Sequence, residues 1–311
     1  ERCVLRVAPS LRVAHQAAVS MQEAVKRPGH VLLVGNPLPT PLPPLPYAEE
    51  EVNAVQGILN RADVDVHKDN FLRSDGNMPR EPRATKSRVM HALEGAGWVH
   101  FACHADIDTD SLVLALPDSD DPAAKQAESE AEMFDAVCAE FLDKRQDVLQ
   151  QFGDRKHEFI DMVTKQRALL TSLRMDEVQG SAEEAGVQLE TGATVVLSAC
   201  NTARGRITAE GVVGLARGFL LAGAAATVVS LWSVDDRSTA ALMEQMYFHL
   251  VDGFTVPQAL RLAMLRLARR PALEQTLQSE EPSSADGLRV EWKRPMHWAG
   301  FLVMGASTRL P

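Results

Sequence analysis

The sequence predicts an α/β protein with a mainly parallel central sheet and helices on both of its faces. Short, unbroken apolar runs recur at His30–Gly35, Trp98–Ala105, Thr194–Leu197 and Ala225–Trp232. They lack the apolar/polar alternation of a strand with one wet face, so each reads as a strand covered on both sides. Between them lie stretches with helical spacing and glycine-marked stops. Strand alternating with helix predicts parallel pairing through right-handed crossovers.

At 311 residues and 45% hydrophobic content, the chain is long enough to bury a sizeable core, and one domain over 1–311 carrying an insertion is expected. A net charge of −10 and no dense basic run argue against nucleic acid as a partner. The cysteines at 3, 103, 138 and 200 show no paired metal-ligand spacing, so neither a metal nor another cofactor is expected. No secretory signal and no apolar run of about 20 residues is present, which predicts no membrane partner. A reducing, cytoplasmic setting follows and suits a working thiol. The start at Glu1 leads us to expect a piece of a longer protein.

Taken in order, Arg12–Val25 is a moderately amphipathic helix behind Pro9-Ser10, with Ser10 as its N-cap. His30–Gly35 is the first buried strand. Pro37–Pro46 is too proline-rich for a helix or a central strand and reads as an extended surface loop, capping the sheet edge or offered to a proline-reading partner. Tyr47 to about Asn60 is a helix with acidic residues in its first turn. Val64–His67 reads as a short alternating strand. Lys86–Glu94 is a helix that Gly95-Ala-Gly97 stops before the Trp98 strand. Ser111–Leu116 is an edge strand, after which the composition changes.

Residues 118–186 read as a charged helical insertion. Asp118–Glu132 is a polar, acidic loop. From Met133 onward, apolar residues such as Phe134, Val137 and Phe141 recur at helical spacing. A solvated decoration, a partner site, a gate or a processing loop would each fit. Beyond Cys200, Thr208–Gly211 reads as a helix start, and Gly211, Gly214 and Gly218 as one helix face approaching the sheet. Ser238–Leu250 and Val256–Arg270 are helices, Gln278–Leu288 is a polar loop, and Trp298–Met304 is the last strand.

Candidate chemistry falls at strand tips. Cys200 stands at the C-terminal end of the Thr194 strand, and chemistry in open α/β sheets gathers at that edge. His104 ends the Trp98 strand, so parallel pairing would let the two residues converge despite their separation in sequence. His100 shares a strand face with His104 but lies deeper, as a core residue. Cys103 is next to His104 and points to the opposite face, which rules out that pair. Neither a GxSxG elbow nor a phosphate-binding glycine loop is present. Asp235 and Asp236 end the Ala225 strand on the same rim, as N-terminal helix acids or as the lining of a pocket for a basic side chain.

HFACHA, SLVLAL, VVLSACNTA, EGVVGLARGFLLAGAAATVVSLWSVDD and MHWAGFLVMG together resemble a CHAT domain, a caspase-like cysteine-peptidase family related to separase and often fused to tetratricopeptide repeats. The resemblance covers most of the chain outside the insertion. It implies a caspase-like three-layer fold, a protein or peptide substrate, and flanking repeat domains that regulate the site. In the implied mechanism Cys200 attacks the peptide carbonyl, His104 handles the proton of the leaving amine, and water releases the acyl-enzyme. The implied oxyanion donors are the backbone amides of Cys200 and of the residue after the histidine. That residue is usually glycine and here is Ala105. The alternative function is a catalytically silent interaction or scaffolding module on the same fold.

Overall fold

A computed structural model describes residues 8, 10–23, 29–38, 40, 42–64, 66, 71–73, 83–106, 109–115, 170–180, 186–200, 202, 206–208, 211–269, 294–306 and 308–310. The chain begins with helix α1 (Leu11–Glu23), strand β1 (His30–Gly35), helix α2 (Pro46–Arg61) and strand β2 (Phe71–Arg73). Helix α3 (Lys86–Leu93) leads into β3 (Ala96–Ala102), then the short strands β4 (Ala105–Asp106), β5 (Ser111–Val113) and β6 (Ser172–Arg174). Helix α4 (Met175–Gln179) precedes β7 (Thr194–Ser198), the hairpin strands β8 (Arg206–Thr208) and β9 (Gly211–Val213), and helix α5 (Leu215–Leu221). Strand β10 (Ala226–Ser230), helices α6 (Asp236–Val251) and α7 (Val256–Arg269), a 3₁₀ turn at Pro295–His297, and strand β11 (Phe301–Gly305) complete it.

Six strands form the main sheet in the order β11-β10-β7-β3-β1-β2, parallel except for β11. Strand residues alternate between two buried clusters. Leu32, Val34, Val99, Phe101, Val195 and Leu197 pack with α1, α3 and α5, while Val31, Leu33, Trp98 and Val196 pack with α2, α6 and α7. These are the three layers expected, and they explain why the strands read as unbroken apolar runs: both faces are dry. At the N-terminus, Ser10 Oγ accepts from Val13 N at 3.3 Å, the expected N-cap of α1.

Three local expectations are corrected. The strand expected at the sheet edge over Ser111–Leu116 is β5, Ser111–Val113, and it is the middle strand of a separate antiparallel sheet between β4 and β6. Among the described residues the strand after α2 is Phe71–Arg73, facing Leu33–Gly35; of the expected strand Val64–His67 only Val64 and Val66 are described, and neither is in a strand. Asp63 at φ 57° turns the chain out of α2, and Val66 is buried in the α2-side cluster without ladder pairing. Gly211–Gly218 is not one helix: Arg206–Thr208 and Gly211–Val213 form a hairpin, and Gly214 is extended at φ −179° ahead of α5. Only Gly218 is helical, and a Cβ there would lie 2.8 Å from Met175 Cγ, so the close approach is to α4 rather than to the sheet. The acidic loop, the helices expected from Met133 and the polar loop Gln278–Leu288 lie outside the described residues, as does most of 118–186. No described helix is long and apolar enough to cross a membrane.

Candidate active site

Strands β3 and β7 are parallel neighbours in the centre of the sheet, with Ala102 opposite Ser198. His104 and Cys200 each follow that matched pair by two positions, so the register carries both to the same C-terminal edge. From Trp98 onward the even-numbered positions of β3 face the α2/α6 layer, as Trp98 and Ala102 do, and Val196 of β7 faces it too. His104 and Cys200 are both partly buried.

Each side chain has its own partner. His104 Nε2 lies 2.8 Å from the Pro43 carbonyl, which accepts only, so Nε2 carries the proton and donates it. The Cys200 thiol faces the Val234 carbonyl at 3.8 Å. The proline-rich loop is therefore more than an edge cap: it supplies the histidine's anchor. Asn36 secures that loop, accepting from Leu45 N at 2.8 Å through Oδ1 while its own N–H donates to Ala102 O at 2.9 Å. Asn36 sits at φ 41°, a conformation that short polar side chains tolerate. Sequence reasoning missed Pro43 because its contribution is a backbone carbonyl, which no residue type announces.

Ala105 opens β4, the edge strand of a three-stranded antiparallel sheet with β5 and β6. Val113 N donates to His104 O at 2.9 Å, which makes His104/Val113 a hydrogen-bonded position. Antiparallel ladders alternate, so at the next pair, Ala105/Leu112, the N–H of Ala105 points away from β5. An amide on the outer side of an edge strand, one residue past His104, is free of that ladder's demands.

The two adjacent carboxylates cap two different helices. Asp235 is the N-cap of α6, its Oδ1 accepting from Ser238 N at 2.9 Å. Asp236 Oδ2 accepts from Tyr47 N at 3.1 Å, in the first turn of α2, whose own N-cap Leu45 offers no side-chain acceptor. Burial pushes the Asp236 carboxyl up to about 6; the Tyr47 amide opposes this, the Glu51 and Asp235 carboxylates add to it, and His104 opposes it. The electrostatic influence of His104 ties Asp236 to the histidine's neighbourhood, and Val234 in the same loop meets the thiol.

Beneath His104, His100 is 0% exposed, as a core histidine should be. Cys103 is buried on the α1/α5 side, and burial, followed by the Glu51 carboxylate, holds its thiol far above the ordinary range. Among the described residues, no group of three or more His, Cys, Asp or Glu side chains could hold a metal ion.

The CHAT domain family model matches residues 1–306. Tetratricopeptide repeat protein 28 of Mus musculus is 28% identical over 267 residues, covering 86% of this chain and 9% of that protein. Its Homo sapiens counterpart is 29% identical over 268 residues, again 86% and 9%. The chain thus spans under a tenth of the length of these relatives. Among solved structures, the Arg-specific cysteine proteinase gingipain R aligns with a TM-score of 0.49 and 8% identity, over 95% of this chain and 52% of that one. A complex of Porphyromonas gingivalis RgpB pro- and mature domains aligns at 0.45 and 9%, over 91% and 48%. With its match running from the first residue almost to the last, the chain belongs to the CHAT domain family.

Proposed function

We propose that the chain is a cysteine endopeptidase in which Cys200 is the nucleophile and His104 the proton carrier. The observation that carries this reading is the register of β3 and β7, which sets both residues two positions past the Ala102/Ser198 pair on neighbouring strands. With Nε2–H given to Pro43, the lone pair of His104 sits on Nδ1. Nδ1 takes the thiol proton as Sγ leaves the Val234 carbonyl for the substrate carbonyl, and returns it to the leaving amine. The amides of Ala105 and Cys200 receive the oxyanion. Asp235 and Asp236 line the pocket for an Arg or Lys side chain before the scissile bond. Residues 1–311 act as one domain with 118–186 inserted, and flanking tetratricopeptide repeats, of the kind named in the relatives, regulate cleavage in the cytoplasm.

A second reading, a silent interaction module, is favoured by one observation: both side chains are engaged with backbone carbonyls of separate loops rather than with each other. Profiling the chain against a peptide library decides between them. The peptidase reading expects hydrolysis that falls by about 10³-fold or more in Cys200→Ala and in His104→Ala, with unfolding curves unchanged. Hydrolysis absent from the wild-type chain, with or without its repeats, leaves the interaction module.

A further inference from the structure

The turn that carries Cys200 is fastened by two buried hydroxyls that the proposed mechanism does not use. The paired stretch of β7 and β10 runs from Thr194/Ala226 to Val196/Val228 and ends there. Beyond it, Leu197 still pairs with β3 and Ser230 with β11, but between β7 and β10 the backbone groups of Leu197, Ala199, Thr202 and Ser230 have no ladder to join. Thr202 and Ser230, 3% and 0% exposed, take the ladder's place. Ser230 Oγ donates to the Ala199 carbonyl and accepts from Thr202 N at 3.1 Å. Thr202 Oγ1 donates to the Leu197 carbonyl at 3.3 Å and accepts from Ser230 N at 2.9 Å. Each hydroxyl gives its one proton and takes one, so the set closes on itself.

This arrangement fixes more than the path of the chain. A peptide unit is planar, and in the trans form its C=O and N–H point in opposite directions. Ser230 holds the Ala199 carbonyl, so the N–H of Cys200, in the same peptide unit, points away from Ser230 and β10. Strand β3, which leads to His104 and Ala105, flanks β7 on that other side. We propose that Ser230 and Thr202 are positioning residues that orient the Cys200 amide as an oxyanion donor. Their catalytic consequence rests on the peptidase reading above; their effect on the amide does not.

The test uses the full chain labelled with ¹⁵N-cysteine, in wild type, Ser230→Ala, Thr202→Val and Thr202→Ser. The Cys200 amide resonance is expected to move in Ser230→Ala and Thr202→Val, to return towards its original position in Thr202→Ser, and the Cys103 resonance to stay in place. In parallel, a peptide aldehyde and iodoacetamide probe the thiol. The aldehyde forms an Sγ–C bond as its carbonyl π bond opens onto oxygen, which receives the thiol proton. It therefore needs the oxyanion donors. Alkylation displaces iodide and needs none. Ser230→Ala is expected to weaken aldehyde binding by about 10-fold or more and to lower kcat with KM unchanged, while alkylation keeps its rate. An unmoved Cys200 resonance in both variants overturns the proposal, as does equal loss of aldehyde binding and alkylation. A resonance that moves in a chain binding no aldehyde even as wild type overturns the peptidase reading and leaves the positioning of the amide standing.

Discussion

His100 Nε2 lies 2.8 Å from Glu51 Oε1, with side chains 0% and 1% exposed, in the layer directly beneath the candidate site. Trp98 Nε1 donates to Tyr247 Oη at 2.8 Å, and Tyr247 Oη lies 3.0 Å from His100 Nδ1. Tryptophan only donates, so the Tyr247 oxygen accepts from it and the Tyr247 O–H donates to Nδ1, while His100 donates Nε2–H to Glu51. The chain of bonds joins β3, α2 and α6, the elements that lead to His104, Pro43 and Asp236.

Removing one member strands the others in a dry core. Glu51→Ala is expected to destabilise the fold by about 1–3 kcal/mol, because the imidazole loses its acceptor and cannot reach water. Glu51→Gln is expected to cost less, since its amide oxygen still accepts. Urea unfolding of the two variants checks the order; equal losses would mean that the hydrogen bond matters less than the packing.

Asp236 gives the fold a specific pH signature. Its carboxyl is raised from an ordinary 3.8 to about 6, chiefly by burial, so the folded chain binds that proton more tightly than the unfolded chain does. The stability this contributes is complete below 3.8 and is lost as pH rises through about 6. Asp236→Asn cannot ionise and keeps an acceptor for Tyr47 N. The Tm of the variant relative to wild type is therefore expected to climb across this window and level off above it. Thermal melts from acid to neutral pH check this, and a constant difference counts against it.

Much of this was legible in the sequence where side-chain character alone sets the structure. Unbroken apolar runs such as Thr194–Leu197 announce strands covered on both sides, and a polar residue ending such a run, as His104 does, marks the sheet edge. What was not legible depends on backbone groups or on distant partners. Pro43 contributes a carbonyl, and Asp236 caps a helix 189 positions away, which no local pattern encodes. Ser230 and Thr202 read as ordinary small residues until the ladder between β7 and β10 is seen to stop short of them. The glycines at 211, 214 and 218 misled because helical spacing alone does not distinguish a helix face from a hairpin followed by a helix start.

Gly97 is needed for its missing Cβ. His30 pairs with Ala96 and Val31 with Trp98, so Gly97 is the extra residue of a bulge. A Cβ there would sit 2.7 Å from Gly29 N and 2.8 Å from Gly29 Cα, against backbone that has no rotamer to yield. Gly97→Ala is expected to cost about 1–3 kcal/mol by overpacking. The bulge lies at the opposite end of β3 from His104, so activity of the folded fraction should hold. Urea unfolding together with an active-site titration separates the two effects.

The two described free cysteines are expected to differ sharply in reactivity. Cys103 is 2% exposed, and burial first, then the Glu51 carboxylate, suppresses its thiolate. Cys200 is partly exposed at the sheet edge, and its thiol makes a weak contact to the Val234 carbonyl at 3.8 Å. Iodoacetamide near neutral pH, followed by peptide mass spectrometry, should modify Cys200 first and reach Cys103 only as the chain unfolds. In Cys200→Ala, Cys103 should remain unmodified on the same timescale. Early labelling of Cys103 would mean that the end of β3 opens to water, and a strand end that opens cannot hold His104 in register with the Cys200 turn.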